Sequence, residues 1–105
     1  MIHYEDSLTI EFQQAGETLH NLPQRPTNDE LLLAYGLYKQ STIGNNKSQE
    51  PSLFNFKSHA KWRAWQEQAG KGRTRAKKEY IMFITQLGIK YLPEYKTIDS
   101  FIEEI

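Results

Sequence analysis

The sequence predicts an all-α fold of four helices, and three features point to it. Leu8, Phe12, Ala15, Leu19 and Leu22 recur at steps of four, three, four and three. That is the one-sided stripe of an amphipathic helix. Ala76, Tyr80, Phe83, Ile84, Leu87 and Tyr91 recur the same way near the other end. Between them, Thr27-Asn28-Asp29-Glu30 reads as a capping box that opens a helix.

The first helix is expected over residues 6–20, with Asp6 or Ser7 as its cap. Gly16 inside it costs up to ~1 kcal/mol relative to alanine, so a small residue there implies close approach by a second helix or a ligand. Pro23 and Pro26 end the helix and fix the turn. The second helix starts at the capping box, where Asp29 and Glu30 suit the positive end of the dipole. It runs to Ser41 or Thr42, with Gly44 as the stop. It also sets Tyr35, Tyr38 and Lys39 on one surface, three and four residues apart. A lysine beside two phenols suits a phosphate clamp with a flat face, and a tyrosine-rich core edge with a solvated lysine would look the same.

Residues 43–56 form a connection long enough to cross the fold. Leu53, Phe54 and Phe56 imply that its end packs down onto the core. The third helix is expected over residues 57–69, with Trp62, Trp65 and Ala69 on a core-facing side. Lys57, Lys61 and Ala64 follow another side. Two ammonium groups one turn apart repel, so an anion between them is favoured. Gly70 and Gly72 break the chain before the fourth helix. Arg73, Arg75, Lys77 and Lys78 oppose the dipole at its start, and Arg73 and Arg75 read as solvated. Gly88 and Pro93 loosen its end. Ile98, Phe101, Ile102 and Ile105 give residues 97–105 the pattern of a short extra C-terminal helix.

At 105 residues the chain suits one modest core. It has no cysteine, which excludes disulfides and thiolate metal sites. His3, His20 and His59 are too scattered for a local metal motif. Apolar runs fall far short of the ~20 residues that span a membrane, and the N-terminus lacks signal-peptide features. A soluble cytoplasmic protein is expected. The zero net charge conceals an asymmetry. Residues 39–90 hold eleven Lys or Arg against three acids, so the middle is +8 and the ends together are −8. Such a surface suits an anionic ligand. A nucleic-acid binder would use the same cations and aromatics, and a protein-interaction module would use the acidic C-terminal segment.

The most specific string is Tyr35-Gly36-Leu37-Tyr38-Lys39-Gln40-Ser41-Thr42-Ile43-Gly44, then Pro51. Phe56-Lys57-Ser58-His59-Ala60-Lys61-Trp62-Arg63-Ala64-Trp65 follows, and then Tyr80-Ile81. This closely resembles the acyl-CoA-binding protein family, whose pattern is Y-x-x-Y-K-Q-A-T-x-G, a proline, F-K-x-K-A-K-W-x-A-W and a later Tyr. The likeness runs without gaps from about Phe12 to Tyr91. It implies an up-down-down-up four-helix bundle. It also implies a non-catalytic, monomeric, cytosolic carrier that buffers and protects acyl-CoA.

By that resemblance, Tyr35, Tyr38, Lys39, Lys57, Lys61 and Tyr80 bind the CoA head. Tyr35, Lys39 and Lys61 hold the adenine and 3′-phosphate, with Tyr80 nearby. Gly16, His20 and Leu32 border the acyl and pantetheine groove. Residues 1–93 form the binding domain and 94–105 an extension. The expected ligand is medium- to long-chain acyl-CoA, with no cofactor, no metal, no nucleic acid and at most transient membrane contact. Three positions depart from the pattern. His20 stands where lysine is usual, which makes a phosphate contact pH-dependent. Gly16 replaces alanine, and His59 interrupts a basic triplet.

Overall fold

A computed structural model of the chain describes residues 4–92. They form four helices: α1 Tyr4–His20, α2 Asn28–Thr42, α3 Phe56–Gln66 and α4 Arg73–Lys90. No strand occurs among the described residues. The short helix expected at 97–105, and the boundary expected at residue 93, lie outside them.

The pairings set the directions of the helices. Gly36 approaches Ala64, Lys61 stands over the Tyr35 ring and Lys39 over the Trp65 ring, so α2 and α3 run parallel. Phe12 meets Tyr80 and Thr18 meets Gly88, so α1 and α4 run parallel. Tyr38 meets Tyr80, while Glu30 meets Lys90, so α2 and α4 are antiparallel. The result is the up-down-down-up bundle. Parallel α2 and α3 require a connection that returns along their full length, which is why residues 43–55 are long.

The core lies where α1, α2 and α4 meet. Ala15, Ala34, Leu37, Tyr80, Ile84 and Leu87 are buried together, and Phe12, Leu19, Leu22, Ile81, Phe83 and Tyr91 pack against them. The α1 and α4 stripes are thus the core stripes that periodicity predicts.

Helix α3 departs from expectation. It contributes no buried residue and ends at Gln66 instead of residue 69; Ala69 is exposed. Trp62 and Trp65 are half-buried and outside the core. Each indole needs a hydrogen-bond acceptor, and the connection supplies it. Trp65 Nε1 donates to the Gly44 carbonyl at 2.8 Å and Trp62 Nε1 to the Ser48 carbonyl at 3.0 Å. Asn46 Nδ2 returns a bond to the Trp62 carbonyl at 3.2 Å. The tryptophans pin the connection to α3.

Leu53, Phe54 and Phe56 do not pack down; they are exposed. Polar bonds anchor the connection, and its last turn closes on itself, with the Asn55 N–H donating to the Ser52 carbonyl at 3.0 Å. Arg73 is not simply solvated either, because its Nη2 donates to the Ile43 carbonyl at 2.6 Å. Arg75 makes an i,i+4 ion pair with Glu79 at 3.5 Å. Gln40, nearly fully buried, donates to Asn45 Oδ1 at 2.9 Å and to the Lys71 carbonyl at 2.6 Å. It joins the end of α2 to the turn before α4.

Helix α1 begins at Tyr4, so Asp6 and Ser7 lie inside it instead of capping it; Asp6 still faces the positive end of the dipole. The capping box of α2 is present in full, with Glu30 N–H donating to Thr27 Oγ1 at 3.2 Å and Thr27 N–H to Glu30 Oε1 at 2.9 Å. Gly44 takes φ +95° and closes α2 as expected. Gly88 leaves α4 unbroken to Lys90.

Glu30 does more than cap. Lys90 Nζ donates to its Oε2 at 2.7 Å and the Tyr91 hydroxyl to its Oε1 at 2.5 Å. These two bonds, then the Thr27 N–H, hold its carboxyl at about 2, below its ordinary 4.5. A carboxyl depressed on folding contributes stability above its unfolded value and loses it as pH falls through the folded value. Wild-type protein is therefore expected to lose stability between pH 4.5 and 2. Glu30→Gln should be less stable at neutral pH and show a flatter acid limb, as read by denaturant midpoints across that range.

Candidate functional site

Two clefts share a wall on α2. The first lies between α2 and the start of α3, and its volume is about 500 Å³. Leu31, Leu32, Phe56 and Ala60 give it an apolar lining, Tyr35 an aromatic face, and Arg25, Lys57 and Lys61 its charge. Among the described residues, no carboxylate lines it. The second lies between α1, α2 and α4, with a volume of about 340 Å³. Gly16, Leu19 and His20 form its α1 side, Tyr38 and Ala34 continue α2, and Tyr80 comes from α4. Leu31 and Tyr35 belong to both clefts.

Helical spacing accounts for the arrangement. Lys57 and Lys61 sit one turn apart on α3 and face the same cleft. Lys61 Nζ stands 5.0 Å from the centre of the Tyr35 ring, a cation–π contact that holds both groups at the wall. Tyr38 stacks on Phe12 at 5.8 Å with an 8° interplanar angle, and Phe12 lies 4.9 Å from Tyr80. Burial, and then the Tyr38 phenol, raises the pKa of Tyr80 above its ordinary value. Tyr80 therefore keeps its proton at neutral pH and remains a donor.

Eight of the nine residues singled out in the sequence line these two clefts: Tyr35, Lys57, Lys61 and Leu32 in the first, and Gly16, His20, Tyr38 and Tyr80 (with Tyr35 again) in the second. Lys39 is the exception. It is half-buried, with its Nζ 4.9 Å from the centre of the Trp65 ring. Gly16 is not there to let a helix approach, because among the described residues a Cβ at that position would meet only the Tyr80 hydroxyl at 3.9 Å. The close helix approach is at Gly36 instead, where a Cβ would lie 2.3 Å from the Ala64 carbonyl oxygen.

Sequence reasoning missed two parts of the site. Arg25, between Pro23 and Pro26, is the only cation in residues 1–38. Its Nη2 donates to Asn28 Oδ1 at 3.0 Å, which turns it to the first cleft. A third cleft of about 660 Å³ opens between α2 and α3, where Leu33, Leu53 and Ala64 add to the apolar lining. It shares Leu32, Phe56 and Ala60 with the charged cleft, so an apolar strip joins the two, and Asp29, His59, Arg63, Glu67 and Gln68 give the third cleft a polar rim. The arrangement suits an amphiphile with an anionic aromatic head. Among the described residues no cluster of His, Asp and Glu is placed to hold a metal.

Residues 9–84 match the sequence profile of the family described as "Acyl CoA binding protein". Acyl-CoA-binding protein 2 of Saccharomyces pastorianus is 44% identical over 80 residues, which is 76% of this chain and 92% of that protein. The Drosophila melanogaster acyl-CoA-binding protein homolog is 42% identical over 81 residues, or 77% and 94% of the two chains. Among solved structures, the Oryza sativa Acyl-CoA-Binding Protein 2 crystal structure superposes with a TM-score of 0.78 at 37% identity, covering 82% of this chain and 94% of that one. The Moniliophthora perniciosa structure covers 91% and 92%, with a TM-score of 0.69 at 30% identity. The profile spans most of the chain and the helices superpose on solved members, so the chain belongs to the acyl-CoA-binding protein family.

Proposed function

We propose that this protein binds medium- to long-chain fatty acyl-CoA thioesters as a monomeric, cytoplasmic carrier and performs no chemistry on them. The observation that carries this reading is the joined clefts, with three cations and Tyr35 in one and an apolar strip of Leu32, Phe56 and Ala60 running from it into the next. The nucleotide is an anion with a flat base, and the acyl tail is apolar, so each end finds its complement. Tyr35 and Lys61 hold the adenine and 3′-phosphate, with Lys39 joining them when it leaves Trp65. Lys57 adds charge, and Tyr38 and Tyr80 supply hydroxyl donors. Leu32, Gly16 and His20 border the pantetheine and acyl chain. Residues 1–93 constitute the binding unit. No cofactor is required, since acyl-CoA is itself the cargo.

The tail supplies most of the affinity in this reading. At ~0.8 kcal/mol per buried CH₂, fourteen methylenes contribute up to ~11 kcal/mol, less the several kcal/mol needed to order the ligand. Titration calorimetry with palmitoyl-CoA, free CoA and palmitate tests this. Palmitoyl-CoA is expected to bind orders of magnitude more tightly than either fragment. Equal binding of free CoA, or no binding of any acyl-CoA from short to very long chains, would overturn the reading.

A further inference from the structure

We infer that the turn ahead of α3 is a docking surface for an anionic lipid bilayer. Leu53, Phe54 and Phe56 are 68%, 91% and 79% exposed within four residues of chain. Apolar side chains scattered singly over a surface are ordinary, but three at one tip are not scattered. Cargo does not account for all of them, because Phe54 lines neither the charged cleft nor the groove beside it.

The tip is also built. Phe54 N–H donates to Ser52 Oγ at 3.2 Å and Asn55 N–H to the Ser52 carbonyl at 3.0 Å. Asn55 then caps α3, accepting from the N–H groups of Ser58 and His59. A preorganised backbone loses little freedom on insertion, so burying its apolar side chains in lipid is favourable on binding.

Charge identifies the occupant. Lys57 and Lys61 follow on the first turns of α3, and Arg25 shares their cleft. The carboxylate preceding the tip, Glu50, is turned toward His59 Nε2 at 3.1 Å. Cations bordering an exposed aromatic tip match the headgroups and acyl boundary of an anionic leaflet. A nucleic acid would engage the cations and could stack on Phe54, but it would leave the aliphatic Leu53 in water. Phe56 belongs both to the tip and to the cleft wall, so docking brings that wall to the lipid surface. The proposal goes beyond acyl-CoA binding and does not depend on it.

The test is co-sedimentation of the full chain, free of acyl-CoA, with vesicles of phosphatidylcholine alone or mixed with phosphatidylserine. Partition onto the mixed vesicles is expected, weakening with salt. Phe54→Ser should lower it about tenfold or more, and Lys57→Ala should lower it on the anionic vesicles only. Met82→Ser, at a 62% exposed site on α4, should change nothing. Thermal melts of Phe54→Ser should match wild type, because the side chain supports no core. Its palmitoyl-CoA titration should also match, which separates this surface from the cargo site. Absence of wild-type sedimentation with anionic vesicles, or partition indifferent to Phe54→Ser, would overturn the proposal. So would a concentration-dependent dimer abolished by Phe54→Ser, because the tip would then belong to a second copy.

Discussion

Gly36→Ala is expected to destabilise the protein, although alanine is the better helix former. In α2 the substitution gains up to ~1 kcal/mol of intrinsic propensity. Against this, the new Cβ lies 2.3 Å from the Ala64 carbonyl oxygen and 2.9 Å from its carbon. Both are backbone atoms, so no side-chain rotation relieves the clash, and α2 and α3 must separate. Overpacking of this kind costs about 1–3 kcal/mol. A net loss implies a fall in melting temperature of roughly 4–8 °C per kcal/mol for a domain of this size. The consequence reaches the site, because the same two helices wall the charged cleft. Palmitoyl-CoA binding should weaken together with stability. Gly16→Ala is the control, since its Cβ makes only an ordinary contact with the Tyr80 hydroxyl. It should be neutral or stabilising by about 0.5–1 kcal/mol. Melting temperatures and titrations of the two variants check the pair, and a Gly36→Ala protein as stable as wild type would contradict the packing argument.

The contrast between these glycines shows what a sequence discloses. Local periodicity reports which residues share a helix face, so the core stripes of α1 and α4 were legible. The capping box was legible because all its parts lie within four residues. Periodicity says nothing about what a face meets. Trp62 and Trp65 have the spacing of core residues, yet among the described helices α3 packs on α2 alone, and their indoles bind carbonyls of the connection. Glu30 reads as a cap, but its other partners, Lys90 and Tyr91, lie sixty residues away. Gly16 drew attention by the propensity cost of a glycine inside a helix, while Gly36, in the middle of a motif, hid a backbone approach that the assembled helices reveal. The grouping of the candidate residues was partly legible, because their helical-turn spacing holds Tyr35, Lys57 and Lys61 to one cleft, while the expected surface of Tyr35, Tyr38 and Lys39 is split between two clefts and the Trp65 ring. Arg25 and the groove along Leu33 and Leu53 depend on how elements meet, so the sequence did not mark them.

The sharpest expected effect on the proposed ligand is at Tyr35 and Lys61. Tyr35 is a wall of both clefts, and Lys61 Nζ stands over its ring at 5.0 Å. Removing a central aromatic anchor of a binding site typically costs 2 kcal/mol or more, roughly thirtyfold or greater in affinity. Tyr35→Ala should therefore weaken palmitoyl-CoA binding about thirtyfold or more, and Tyr35→Phe far less, because the face remains. Lys61→Met keeps the stem but removes the charge. It should weaken palmitoyl-CoA and free CoA by the same factor, with a salt dependence shallower than wild type. The pair share a contact, so their losses should not add. The double variant should fall short of the sum by about 0.5–1 kcal/mol, the size of a partly exposed cation–π contact. Lys61 is exposed and Tyr35 half-buried outside the core cluster, so stability should change little, and melts of each variant separate lost binding from lost fold. Should Tyr35→Ala leave palmitoyl-CoA affinity intact in a folded protein, the head of the ligand does not lie on the α2 wall.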